Sequence, residues 1–141
     1  MSDTVKNDLA VAKLRVLADN QPVSKFFDFR ILELTPGYAR VSIKMKPEYL
    51  NFNGRIFGGI IVDIADEAFA LCVSSVAHPS VATHLNIYFL APVEPDDELV
   101  AEGRVIKNGK RLGFAEMTVT NQKDIIIAKV TGTYSLIGKQ E

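Results

Sequence analysis

The chain has 141 residues, 48% of them hydrophobic, a length and composition that suit a single domain, 1–141, with one buried core. Its 16 basic and 17 acidic residues leave a formal net charge of -1, which excludes an electrostatic footprint for nucleic acid or for an anionic membrane surface, so an anionic ligand has to be held locally. The single Cys72 cannot form an intramolecular disulfide or a multi-cysteine zinc site, and no stretch approaches the roughly 20 apolar residues of a spanning helix, so a cytoplasmic, reducing location is expected.

In chain order, Val11, Leu14 and Ala18 recur at helical spacing and predict a short amphipathic helix that packs on the domain and ends near Asn20, Gln21 and Pro22. Phe29 to Thr35 reads as a strand, and Pro36-Gly37 supplies a turn. Tyr38 to Lys46 alternates, with Ala39, Val41, Ile43 and Met45 on one face and Arg40, Ser42, Lys44 and Lys46 on the other, the mark of a half-buried antiparallel strand. Pro47 closes it. A polar, glycine-rich stretch then leads to the one long helical signal, from about Gly59 to about Ser75. That helix presents Ile60, Ile61, Ile64, Ala65, Ala68, Phe69, Leu71 and Cys72, a band too broad for a surface helix, so it should be largely enclosed.

Strand runs follow at Val81 to Leu90, Glu98 to Lys107 and Arg111 to Ile137, the last broken near Asn121 to Asp124, with short hairpin-like links between them. Asn108-Gly109 predicts a two-residue hairpin turn, because both residues tolerate positive φ. An antiparallel sheet with one apolar face has to cover that face, and curling around the single long helix is the economical way to do so. The expected class is therefore α+β.

The chemistry is concentrated between Tyr49 and Ala70. Gly58 and Gly59 open the long helix, where unpaired backbone N–H groups and the positive end of the helix dipole favour developing negative charge. Asp63, Asp66 and Glu67 follow at i, i+3 and i+4 on a segment otherwise almost free of polar side chains. They either face solvent and pair with Lys or Arg, or hold a carboxylate ready to activate water or attack a carbonyl. Eight helical positions separate Gly58 from Asp66, roughly 12 Å, too far for both to address one carbonyl carbon. A two-fold dimer with antiparallel central helices would bring Gly58 of one chain toward Asp66 of the other.

Several ordered segments make the chain similar to a known group. Asn51-x-x-Gly54-x-x-x-Gly58-Gly59, then Ile64-Ala65-Asp66 with Ala68-Phe69, the strand from Val81 to Val93, and Gly109-Lys110-Arg111-Leu112 together resemble the PaaI-like and 4-hydroxybenzoyl-CoA-thioesterase-like hotdog thioesterases. The likeness runs from about Phe26 to Ile137. It implies a hotdog fold, assembled as a dimer or dimer of dimers, that hydrolyses acyl-CoA thioesters without a metal or redox cofactor. Asp66 matches the family's nucleophile or general base, Gly58 the residue whose backbone N–H polarises the thioester carbonyl, and Asn51 an asparagine that orders loop and substrate or water. Thr83 is the nearest candidate for a water-assisting hydroxyl on the following strand, with Ala82 as the other possible equivalent.

The chain departs from the pattern at Phe57, where the family commonly carries His before the two glycines, and at Tyr49, where His is also frequent. Phe57 cannot hydrogen-bond, so the loop is held differently or the pocket is more apolar. A non-catalytic acyl-CoA binder is the alternative that this substitution raises. A hotdog dehydratase or hydratase is disfavoured, because the loop from Tyr49 to Gly59 holds no histidine for acid/base work. Phe57, Gly59, Phe69 and Ala82 are the candidate acyl-contacting residues, and Lys110 and Arg111 the candidates for CoA phosphates. Asp63 and Glu67 are expected to support the dimer, and His78 and His84 to be structural.

Overall fold

A computed structural model describes residues 2–141. Its elements are α1 (Asp3–Asn20), α2 (Pro22–Phe27), β1 (Arg30–Thr35), β2 (Tyr38–Lys44), a 3-10 turn (Pro47–Tyr49), α3 (Gly58–Ser74), β3 (Ser80–Phe89), β4 (Glu98–Asn108), β5 (Leu112–Thr120) and β6 (Ile126–Leu136). α1 begins where the Ser2 side chain accepts the Val5 N–H at 3.3 Å. Its end falls at the expected place, but a second helix follows at once. Pro22 occupies the first turn of α2, where a missing N–H costs nothing, and Asp28 ends that helix in the left-handed region at φ 55.

The six strands form one antiparallel sheet in the order β1-β2-β4-β5-β6-β3. Gly37, at φ 77, turns β1 into β2. Two expectations about the links are corrected. β3 does not hairpin into β4. It lies at the far edge against β6, and the connection, which carries Pro92 and Pro95, passes across two strands instead. Between β4 and β5, neither Asn108 nor Gly109 has positive φ. Gly109 donates its N–H to the Leu112 carbonyl at 3.0 Å, and a Cβ on Gly109 would stand only 2.5 Å from that oxygen. Glycine is needed there for close approach, not for handedness.

α3 packs chiefly on β4, β2 and β5, and α1 covers β1 beside it. Ile60, Ile61, Ile64, Ala65, Ala68, Phe69, Leu71, Cys72 and Val73 are buried, each large side chain contributing about 1.5–3 kcal/mol on removal from water. Two glycines let the sheet come close. A Cβ on Gly103 would lie 2.8 Å from the Ala68 carbonyl oxygen, and one on Gly132 would lie 2.6 Å from the Phe69 ring. On the β3 side the sheet is bare: Val81, Ala82, Thr83, His84, Asn86, Tyr88 and Phe89 are exposed, and β3 has a neighbour on one side only. No helix among the described residues is long and apolar enough to cross a membrane.

Candidate active site

One side chain organises the loop that precedes α3. Asn51 Oδ1 accepts the backbone N–H groups of Asn53 at 2.8 Å and Arg55 at 3.2 Å, while the Asn51 N–H donates to the Arg55 carbonyl at 2.7 Å. Gly54, at φ 72, makes the reversal inside this ring. The Phe57 N–H then donates to the Tyr49 carbonyl at 2.8 Å and delivers the chain to the helix. Asn51 therefore spends its oxygen on the loop, and its side-chain N–H groups have no partner among the described residues.

Phe57 caps α3 in extended backbone, φ -62 and ψ 128, and offers no side-chain acceptor. Gly58 and Gly59 precede the first backbone bond of the helix, that of Ile60 N–H to the Phe57 carbonyl at 3.0 Å, and neither glycine N–H has a partner among the described residues. Two free donors thus sit at the positive end of a 17-residue helix. Phenyl rings flank them. A Cβ on Gly59 would meet the Phe57 ring at 2.7 Å, and one on Gly58 would meet the Phe89 ring at 3.7 Å. The sequence reading passes over Phe89, although the alternation Leu85, Ile87, Phe89 already places it on the helix-facing side of β3.

The three acidic residues of α3 lie within about one turn and differ in their surroundings. Glu67 is 9% exposed and accepts Gln21 Nε2 at 2.7 and 3.1 Å and Ser24 Oγ at 3.4 Å. It clasps the junction of α1 and α2 to α3 within the chain. Burial pushes its carboxyl above the ordinary value, the bonds from Gln21 and Ser24 pull it back, and the charge of Asp66 adds to the rise.

Asp63 and Asp66 lie beside Gly59 and Ala70 on the more accessible part of the helix, next to Glu67, and make no ion pair among the described residues. Asp66 reaches solvent on one side, yet the apolar packing behind it raises its carboxyl. Asp63 is raised by burial first and by the Asp66 charge second. A carboxylate displaced toward neutrality and left unpaired is suited to proton transfer. Within one chain it stands about 12 Å along the helix from Gly58.

The remaining candidates scatter. Ala82 opposes Tyr134, whose ring meets Phe69 edge-on at 6.2 Å, so Ala82 looks toward α3. Thr83 lies where the register jumps, and its hydroxyl bonds Thr133 Oγ1 at 2.9 Å on the other face of the sheet. The inner position next to the helix is therefore alanine, and Thr83 is turned away. Phe69, expected as a pocket wall, is 2% exposed beneath Gly132 and belongs to the core. Tyr49 is also buried, its hydroxyl donating to the Phe27 carbonyl at 3.4 Å. Lys110 and Arg111 are exposed on the β4–β5 loop, without an ion pair among the described residues. His78 pairs with Glu141 at 2.9 Å, and His84 is exposed on the edge strand. Among the described residues no three His, Cys, Asp or Glu side chains gather as metal ligands would. Burial pushes the Cys72 thiol up to about 12, so it is no nucleophile.

Comparison with known proteins gives the family. Residues 53–128, over half the chain, match the family model described as the thioesterase superfamily. The chain is 32% identical over 131 residues to a putative esterase of Archaeoglobus fulgidus, covering 92% of this chain and 85% of that protein. It is 29% identical over 120 residues to acyl-coenzyme A thioesterase PaaI of Escherichia coli, covering 85% of this chain and 86% of that one. The solved structure of E. coli PaaI superposes with a TM-score of 0.87 at 27% identity, covering 93% and 95% of the two chains. A Streptococcus mutans protein solved bound to acetyl CoA superposes with a TM-score of 0.76 at 27% identity, covering 80% and 91%. The sheet curled against one long helix is the hotdog fold, and this chain, a thioester hydrolase, belongs to the thioesterase superfamily.

Proposed function

We propose that the chain hydrolyses acyl-CoA thioesters at a site shared by two copies. The acyl carbonyl oxygen is held by the free N–H of Gly58, with Gly59 beside it, and the partner's Asp66 works on the carbonyl carbon. The observation that carries this reading is the pair of unpartnered amides at the start of α3, on a helix whose unpaired carboxylate is too distant to serve the same carbonyl. The bare inner face beside β3 and its unpaired edge supply a surface on which a second copy can pair strand to strand and lay its own α3 alongside.

Asp66 acts in one of two balanced ways. As nucleophile its oxygen bonds the carbonyl carbon, the C–S bond breaks, CoA leaves as thiol after taking a proton, and water cleaves the anhydride. As general base it takes a proton from water, which attacks directly, and the proton passes to the departing sulfur. Neither route calls for a metal or redox cofactor. Phe57 and Phe89 wall the carbonyl site, Asn51 steadies the loop with its amide free for substrate or water, and Lys110 and Arg111 are the cations offered to CoA phosphates. The printed name of E. coli PaaI and the acetyl CoA bound to the S. mutans protein support the choice of substrate class.

The test is thiol release from a panel of acyl-CoA esters by the purified chain. At least one ester should turn over, and Asp66→Asn should lose most of the rate while keeping its fold. An Asn variant as active as the parent removes Asp66 from the reaction, and tight binding of every ester without turnover makes the chain a binder.

A further inference from the structure

The outer side of α1 carries an apolar line that the proposed site does not use. Val5, Leu9, Ala12 and Val16 follow at spacings of four, three and four, so at about 100° per residue they fall in one narrow stripe. This stripe lies opposite the line of Val11, Leu14 and Ala18 that packs on the core. Leu9 is 56% and Val16 62% exposed, well beyond what a helix with one buried face requires. The spacing is that of a coiled-coil seam, and Asp19 ends it at the next seam position.

The two borders of the stripe differ in charge. Lys6 and Lys13 line one border, and Asp8 and Arg15 line the other. The Arg15 guanidinium is turned to its own sheet, where it donates to the Ile31 carbonyl at 3.0 Å. Asp8 is thus the outward charge of the second border. In a parallel helix pair each residue before a core position faces the partner residue five further along, which sets Asp8 against the partner's Lys13 twice over. An antiparallel pair would set Lys6 against the partner's Lys13 instead.

We infer that α1 docks in parallel on α1 of a second copy through Val5, Leu9, Ala12 and Val16. α1 lies over β1, at the edge of the sheet opposite β3. The seam therefore uses a surface separate from the proposed site, but it draws on chains already associated there and in that respect rests on the proposed dimer; thiol release per chain tells a failed seam from a failed site. From Val5 to Val16 it is only about 17 Å long, too short to hold two free chains firmly. It gains strength where chains already associated present two such helices at once.

The experiment is light-scattering mass on the full chain over a range of concentrations. Leu9→Glu with Val16→Glu should halve the mass of the largest assembly, with the circular dichroism and the rate of thiol release per chain unchanged. Lys13→Asp alone should weaken the assembly, and adding Asp8→Lys should restore it. Ala12→Cys should form a disulfide between chains on mild oxidation, since the native Cys72 is buried and Ala12 faces its own copy only in the parallel pair. A mass unaffected by the two glutamates, a charge swap that does not restore it, or an Ala12→Cys chain that stays uncrosslinked overturns the pairing. So does capture of the parent chain by anionic lipid vesicles in place of self-association.

Discussion

Replacing Gly58 by proline separates the amide proton from everything else the residue does. Gly58 is the first residue of α3, where proline is tolerated because that N–H has no helical acceptor and the ring already fixes a helical φ. The preceding Phe57 sits at φ -62 and ψ 128, the extended conformation that a residue before proline adopts, so the backbone needs no adjustment. Stability should hold or rise by about 0.4–1 kcal/mol through the stiffer unfolded chain. Losing one oxyanion donor costs about 10²–10³ in kcat, and the lower end is expected here because the Gly59 N–H stays in place. Gly58→Ala is the control: its Cβ would meet the Phe89 ring at an ordinary 3.7 Å and its N–H is kept, so the rate should stay close to that of the parent. Mixing chains then tests the shared site. In a dimer of one Gly58→Pro and one Asp66→Asn chain, one of the two sites has both groups intact, so a randomly reassorted equal mixture should recover about a quarter of the parent rate. A folded Gly58→Pro chain with full activity, or a mixture as inactive as its components, refutes the reasoning at the donor or at the shared site respectively.

Other measurements probe the surroundings. In the proposed reaction Asp66 acts ionised, and because its carboxyl is raised, kcat/KM should fall on acidification through a limb lying above the ordinary aspartate value of 3.8; a limb at or below that value would exclude Asp66 as the titrating group. Glu67 is also raised, so its protonated form is favoured in the fold, and the stability this brings is complete below 4.5 and lost as pH climbs through the raised value. Glu67→Gln removes the charge at the same size, and its melting temperature should exceed that of the parent at pH 7.5, with the gap closing toward pH 4.5. Phe89→Ala removes the ring beside Gly58, and kcat/KM across an ester panel should shift toward bulkier acyl groups; an unchanged order of preference would place the acyl chain elsewhere.

Local pattern carried the reading of α3 and β2 to within one or two residues, because a broad apolar band and a strict alternation each permit one secondary structure. Partnership was another matter. Nothing local says that β3 pairs with β6 rather than β4, since neighbouring strands obey the same alternation wherever they lie. The two prolines in the connection were the available hint. α2 went unread because Pro22 marks both the end of one helix and the first turn of the next. The site was legible where chemistry is local: the two glycines that open the helix and the acids on one turn. It was illegible where a distant residue decides, as with Gln21, whose contact with Glu67 spans 46 positions and separates that acid from its neighbours. Phe69 was expected at the pocket and Phe89 was passed over for the same reason, because a helix apolar nearly all round does not show which side lies under the sheet.

The helix itself is held in place at several points: its Ala68 carbonyl rests over Gly103, Phe69 is seated on Gly132, and Glu67 is tied to Gln21. A rod fastened in this way can neither slide nor roll, so the spacing of its donors and its acid behaves like graduations on a rule. Adaptation to acyl groups of different size then has to come from the exposed rings that border the carbonyl site, Phe57 and Phe89, rather than from the reacting atoms.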